Sequence, residues 1–369
     1  MKPSISDHFK PYLTVEGGYK GGKAVPPGAT GRKTYKLSSN ENPIGPSPKA
    51  IAAMRAVLEG LHIYPDATDE RLRDALAVYH RFNLTSDQFL TAPGGSELID
   101  LVARAFLREG DEVLISTPCF VPYRTFSTWM GARVVDVPLL HPPAYQLDVA
   151  GILKAVTPRT RIVFLTSPNN PTGTYIVKAD FEQLLEKLPS DVLVVYDEVY
   201  WHFVTAADFT TAEAYVATYP NLLAVNSFSK AFGLPALRVG YAYGHVELTT
   251  YLRQIIKPFF IPATGLAGSI AALGDQEFIR QTVDLVLGER AWLAEQYDQL
   301  GLTYSPSQAN FYLLDPPVPA RRVVEFLKQE GIAVRPMENF GAPGKVRISI
   351  GNREANEAML RALKKVITK

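Results

Sequence analysis

The feature that most restricts the fold is a series of short, unbroken apolar segments between residues 112 and 243. They are Glu112–Ser116, Arg133–Val137, Arg161–Thr166, Val192–Tyr196, Leu222–Val225 and Val239–Tyr243. Each is too short for a helix, and most lack the polar alternation of a strand with one wet face, so they read as strands buried on both sides. Helical stretches such as Lys178–Leu188 lie between several of them. At roughly thirty-residue spacing, this pattern calls for a mostly parallel sheet covered by helices on both faces. Gly94-Gly-Ser-Glu97 opens one such helix, with Leu98, Leu101, Val102, Ala105 and Phe106 inward.

A chain of 369 residues is too long for one hydrophobic core. Residues 1–45, rich in glycine, proline and lysine, read as a surface arm. Residues 46–257 carry the α/β pattern, entered through a helix signal at Ser47-Pro48 with Ile51, Met54, Val57 and Leu58 on one face. A second helical pattern spans Asp69–His80. Residues 258–369 form a smaller α+β unit that the arm is expected to join. It has two long helical stretches to about Leu300, short strands at Phe311–Leu314, Ile332–Arg335 and Val346–Ile350, and a terminal helix over Ala355–Ile367.

Charge and composition exclude several functions. Lysine plus arginine is 38 against 37 acidic residues, so there is no basic surplus for nucleic acid. The lone Cys119 rules out an intrachain disulfide and, with no histidine nearby in sequence, reads as an inert thiol. No two of the six histidines show metal-ligand spacing of the HExxH kind, so no metal is expected. Met1–His8 has no apolar stretch of signal-peptide length. The uncharged run Pro258–Gly274 is broken by Pro262, Gly265 and Gly268, which suits a buried helix at a domain junction better than a membrane span. The expectation is a soluble, cytoplasmic protein.

In doubly wound sheets the ligand lies beyond the carboxyl ends of the strands. Three strands end in chemically useful strings: Ser167-Pro-Asn-Asn-Pro-Thr-Gly173, then Asp197-Glu-Val-Tyr200, then Ser227-Phe-Ser-Lys230. A lysine at the tip of a buried strand is poorly hydrated, which lowers its pKa and frees its amine as a nucleophile. Ser227, Ser229 and Arg238 suit a phosphate, and the helix start at Gly94-Gly95 offers free N–H groups. An amine beside a phosphate pocket is what pyridoxal 5'-phosphate requires: an aldehyde to capture and a phosphate to hold. Asp197 would then pair with the pyridine nitrogen, Asn170 and Tyr200 would bond the ring oxygen, and Phe120 would stack on the ring. Taken singly, Lys230 would equally serve as a surface lysine, Asp197 as a helix cap and Phe120 as a packing aromatic.

Taken in order, these strings resemble the fold-type-I, class II aminotransferases. The strings that carry the likeness are 167–173, Tyr196-Asp-Glu-Val-Tyr200 and Ser227-Phe-Ser-Lys-Ala-Phe-Gly-Leu with Leu237-Arg-Val-Gly-Tyr241. Asn40-Glu-Asn-Pro-Ile-Gly-Pro-Ser-Pro48, Tyr64-Pro-Asp66 and Val346-Arg-Ile-Ser-Ile-Gly351 are similar to the histidinol-phosphate branch of that family. The resemblance covers nearly the whole chain. It implies an aspartate aminotransferase-like fold and a homodimer with active sites at the subunit interface. It assigns Lys230 to covalent attachment of the cofactor, and Gly95, Ser96, Ser227, Ser229 and Arg238 to the phosphate, with Tyr64 reaching in from the other subunit. Asn42, Arg335 and Arg347 resemble the substrate-binding residues. The implied reaction moves an amino group from a small-molecule donor to a 2-oxo acid, by family analogy 2-oxoglutarate.

Two stretches depart from the family pattern. Pro258-Phe-Phe260 stands where the family usually has Pro-Phe-Asn, and Glu16-Gly-Gly-Tyr-Lys-Gly-Gly22 lengthens the arm. Both lie where the family shapes its substrate pocket, and Phe259, Phe260 and Tyr19 are expected to favour a ring. An aromatic amino acid is therefore the rival donor to histidinol phosphate. A decarboxylase would share the cofactor contacts, whereas a ligand sensor would need a DNA-binding segment for which the chain has no spare length.

Overall fold

The computed structural model describes residues 4–13, 21–22, 24, 33–141 and 144–368. Tyr19 and most of the 16–22 insertion lie outside the described residues. Strand β1 (Tyr35–Lys36) lies within the arm. Seven strands build the large sheet: β2 (Phe89–Ala92), β3 (Glu112–Thr117), β4 (Arg133–Pro138), β5 (Thr160–Thr166), β6 (Leu193–Asp197), β7 (Leu222–Ser227) and β8 (Gly240–Gly244). Their order is β2-β8-β7-β6-β5-β3-β4.

The expected mostly parallel sheet is present, with one exception. β8 runs antiparallel to both β7 and β2. Its connection from β7 holds one short 3-10 turn, Pro235–Leu237, and no crossover helix, and a parallel return needs a longer crossover. Strand β2 carried too short an apolar run to stand out in the sequence, yet all four of its residues are buried.

Burial on both faces follows from side-chain alternation. In β5, Ile162 and Phe164 join one apolar core while Val163 and Leu165 join the other. Fully burying such a side chain contributes about 1.5–3 kcal/mol. Tyr123 comes to the first core from the Val121–Trp129 helix, and Phe181 and Leu184 come to the second from Lys178–Lys187. Those helices follow β3 and β5, so the chain leaves these neighbouring strands toward opposite faces and opens a crevice at their carboxyl ends.

The remaining strands are β9 (Thr303–Tyr304), β10 (Phe311–Asp315), β11 (Ile332–Ala333), β12 (Arg335–Pro336) and β13 (Val346–Ser349). β1 pairs in parallel with β11, while β12-β13-β10-β9 form a separate sheet. The single strand expected over Ile332–Arg335 is therefore two, serving different sheets. Leu37 of the arm joins the core of this C-terminal region. The change of core falls later than residue 258: Ile261, Ala272, Leu273 and Ile279 still pack on the large sheet, whereas Val286, Leu293 and Tyr297 belong to the other core. The Gln276–Gln299 helix carries the chain from one to the other. Near the start, the first helix ends at Ala56 rather than continuing through Leu58, which is 50% exposed. Among the described residues no helix is long and apolar enough to cross a membrane, and no cluster of side chains could hold a metal.

Candidate active site

A cavity of about 370 Å³ opens over the carboxyl ends of β5, β6 and β7. Gly95, Ser96, Phe120, Asn170, Asp197, Tyr200, Ser227, Ser229, Lys230, Arg238, Arg335 and Arg347 all line it. Sequence separation hides this convergence; the parallel strands produce it by ending at one edge.

One wall is an anion cradle. Gly94 begins the Gly95–Phe106 helix at φ 91°, and a Cβ there would come within 2.4 Å of an Arg238 guanidinium nitrogen. A Cβ on Gly240 would lie 2.5 Å from the Gly94 carbonyl carbon. Two glycines thus let the helix start pack against the head of β8 and against Arg238. Ser227 Oγ donates to Ser229 Oγ at 2.8 Å and accepts from the Ser229 N–H at 3.1 Å. Helix N–H groups, two hydroxyls and a guanidinium supply the donors that a phosphate monoester needs.

Asp197 closes β6 and is buried. Tyr123 Oη donates to its Oδ2 at 2.6 Å, and the Val199 N–H donates to Oδ1 at 3.3 Å. Burial pushes the carboxyl up to about 6, opposed by these hydrogen bonds and by the Lys230 charge. Thr166 Oγ1 donates in turn to Tyr123 Oη at 2.9 Å. The sequence carried no signal for Tyr123, which reads as one more core aromatic in a helix. Phe120 packs edge-on to it, with ring centroids 5.7 Å apart.

The next acid, Glu198, points away from the cavity. It accepts from the Ala212 N–H at 3.0 Å, from Asn226 Nδ2 at 2.9 Å and from Tyr243 Oη, and burial pushes it up to about 8. It ties β6, β7 and β8 together beneath the site. Burial also pushes the Cys119 thiol up to about 12, which fits the inert reading.

Lys230 follows β7. Part of its surface is open to the cavity, but the protein packed around it pushes its pKa down to about 7; Arg347 adds to that shift, while Glu41 and Asp197 oppose it. Nζ donates to the carbonyls of Ser39 at 3.2 Å and Asn40 at 3.4 Å, and lies 5.5 Å from the centre of the Tyr200 ring. The amine is held at a definite point and is partly neutral at neutral pH.

Arg335 and Arg347, both buried, stand directly opposite each other across the β12–β13 pair. Arg347 donates to Asn170 Oδ1 at 2.5 Å and to the Ser38 carbonyl at 2.9 Å, and Arg335 lies 4.8 Å from the centre of the Phe340 ring. Like charges facing across a ladder are unfavourable unless an anion joins them.

Several expected residues lie elsewhere. Asn42 does not line the cavity. Its Nδ2 donates to the Ala231 carbonyl and Thr282 Oγ1, both at 3.0 Å, and its Oδ1 accepts from the Ile44 N–H, so its amide braces the lysine loop. Asn40 is the asparagine that reaches the site, donating to Tyr200 Oη at 3.0 Å. Tyr64 is 79% exposed and stacks on Phe259 with centroids 4.7 Å apart, outside the cavity of its own chain. Phe259 and Phe260 do not line that cavity either; Phe260 lines a separate pocket that Pro93 and Glu97 also border.

The family profile described as aminotransferase class I and II matches residues 32–363. The histidinol-phosphate aminotransferase of Symbiobacterium thermophilum is 39% identical over 89% of this chain and 89% of its own. That of Anaeromyxobacter sp. is 37% identical over 90% of each. Among solved structures, the Sinorhizobium meliloti histidinol-phosphate aminotransferase in complex with pyridoxal-5'-phosphate superposes with a TM-score of 0.86 at 25% identity, covering 98% of this chain and 97% of that one. A Thermus thermophilus aspartate aminotransferase variant gives 0.81 at 29% identity, with 91% and 92% covered. With a lysine, a buried carboxylate and an anion cradle at one sheet edge, and with these likenesses along nearly its whole length, the chain belongs to the class I and II aminotransferases.

Proposed function

We propose that this aminotransferase exchanges an amino group between histidinol phosphate and 2-oxoglutarate, using pyridoxal phosphate. The carrying observation is that one cavity holds two separate sets of donors suited to anions: the Ser96, Ser227, Ser229 and Arg238 cradle, and the Arg335–Arg347 pair. The cradle suits the cofactor's phosphate. A facing pair of arginines offers more donors than an α-carboxylate requires and suits the phosphate of the donor.

The residues present fit the cofactor: phosphate donors in the cradle, a carboxylate for the ring nitrogen at Asp197, and an amine for the aldehyde at Lys230. When bound, pyridoxal phosphate supplies the electron sink that acidifies the donor's α-carbon. Above about pH 6 Asp197 is ionised and would keep the ring nitrogen's proton in place. Lys230 Nζ, held by Ser39 and Asn40, takes the proton from the donor's Cα; a base near 7 suits work at neutral pH. Asn170, oriented by Arg347, and Tyr200, oriented by Asn40, would bond the cofactor's ring oxygen, and Phe120 would cover the ring face.

A homodimer belongs to the same proposal. Leu58, Leu61, Ile63 and Tyr64 are all at least half exposed. So much apolar surface in one short stretch supports a covering second copy, into whose cavity Tyr64 would reach. The chain then divides into an N-terminal arm (1–45), a cofactor-binding unit (46–257) and a C-terminal unit (258–369) whose first residues, to Ile279, pack on the cofactor-binding unit.

The test is a half-reaction screen by absorbance. Enzyme loaded with pyridoxal phosphate is mixed separately with histidinol phosphate, phenylalanine, tyrosine, histidine, aspartate and leucine. Histidinol phosphate should convert the cofactor to its amine form fastest. An aromatic amino acid reacting faster, with histidinol phosphate inert, would overturn the substrate; release of carbon dioxide instead of an oxo acid would overturn transamination.

A further inference from the structure

Two charged residues of the cavity, Lys36 and Glu41, belong to none of the groups described so far. Lys36 lies on β1 in register with Ala333, two residues before Arg335. Glu41 follows Asn40, whose carbonyl accepts from Lys230. Lys36 Nζ meets Glu41 Oε1 at 2.5 Å, and the two side chains are 37% and 35% exposed. Apart from Asp197, Glu41 is the only carboxylate lining the cavity among the described residues. Its charge raises the Lys230 pKa while Arg347 lowers it, so the carboxylate lies near enough to act on the amine.

A transaminase must pass two different substrates through one cavity. On the function proposed above, both place their reacting carbon beside Lys230 and an anionic group at Arg335 and Arg347. What remains differs in polarity: an imidazole ring with an N–H on one, a second carboxylate on the other. A fixed negative charge would repel the carboxylate, and a fixed positive charge offers no acceptor to the ring N–H. A partly exposed ion pair is weak and opens at little cost, and each partner can then turn to a different ligand.

We propose that Lys36 and Glu41 read the two substrates alternately. Glu41 accepts a hydrogen bond from the ring N–H of the imidazole donor, and Lys36 takes the distal carboxylate of glutamate or 2-oxoglutarate. The partner not engaged returns to solvent.

Each half-reaction is measured separately on Glu41→Leu and Lys36→Met, using enzyme loaded with pyridoxal phosphate. Glu41→Leu should lower kcat/KM for histidinol phosphate at least about tenfold more than for glutamate, chiefly through KM, the scale of losing one hydrogen bond to a charged group. Lys36→Met should show the reverse preference, and Lys36→Arg should recover most of the glutamate reaction. Parallel losses in both half-reactions would overturn the proposal, because a pair that only positions or tunes Lys230 slows every donor alike. If the wild-type protein ignores histidinol phosphate, the substrate reading fails first. Lys36→Met must then still penalise glutamate more than alanine, which lacks the second carboxylate, or this proposal falls too.

Discussion

Replacing Tyr123 by phenylalanine removes one hydroxyl and leaves the ring that packs on Phe164. The hydroxyl donates to Asp197 Oδ2 at 2.6 Å and stabilises the ionised carboxylate, whose pKa burial has pushed up to about 6. A hydrogen bond to a charged group contributes about 1.5–3 kcal/mol, and about 1.4 kcal/mol corresponds to one pH unit, so Asp197 should rise to roughly 7–8 in the variant. The ionised carboxylate is the form that holds a protonated pyridine ring. At pH 6.5 about three-quarters of wild-type Asp197 is ionised, against roughly 3–25% in the variant. Cofactor affinity should therefore fall about 3–25-fold at pH 6.5 but less than about 1.5-fold at pH 8.5, where both carboxyls have lost their protons. The assay is titration of the stripped protein with pyridoxal phosphate between these pH values, followed by absorbance. The quantity compared is the variant-to-wild-type ratio of affinities at each pH. A ratio that does not change with pH would show that Tyr123 does not set the Asp197 charge.

Two further outcomes follow from the same geometry. In protein stripped of cofactor, Lys230→Met should raise the melting temperature. The folded-state pKa, about 7, lies below the ordinary lysine value of 10.5, so the unfolded chain binds the extra proton between those values. The destabilisation from wild-type Lys230 is complete below pH 7 and fades toward 10.5; a gain in the variant that grew with pH would refute this. Gly240→Ala places a Cβ 2.5 Å from the Gly94 carbonyl carbon and 2.6 Å from the Gly95 nitrogen, both backbone. Overpacking of this kind typically costs about 1–3 kcal/mol. Thermal melting and cofactor titration should both show a loss, and an unchanged cofactor affinity would mean the helix start is not the phosphate site.

The strand runs and the strings that close them were legible because each is local. A continuous apolar segment such as Val192–Tyr196 can only be buried, and Asp197 just beyond it must then lie at the sheet edge. The same holds for Ser227, Ser229 and Lys230 after β7. Arg335 and Arg347 were visible as arginines in short strands, but not as partners.

Only the tertiary structure decided how these pieces meet. Strand register sets Arg335 against Arg347, and a β-ladder register is chosen by packing and turns rather than by either strand alone. The connection between β7 and β8 makes β8 antiparallel, although its apolar run looks like its neighbours'. In Asn40-Glu-Asn-Pro, the positive φ of Asn40 and the position of β1 decide that Asn40 and Glu41 face the cavity while Asn42 braces the lysine loop. Tyr123 reaches Asp197 across 74 residues, and Lys36 meets Glu41 only because β1 docks on β11. Apolar periodicity fixes which faces are buried, since burial depends on residue type and spacing along the chain. Which polar atoms meet depends on how separately formed elements pack, and no single stretch of sequence contains that information.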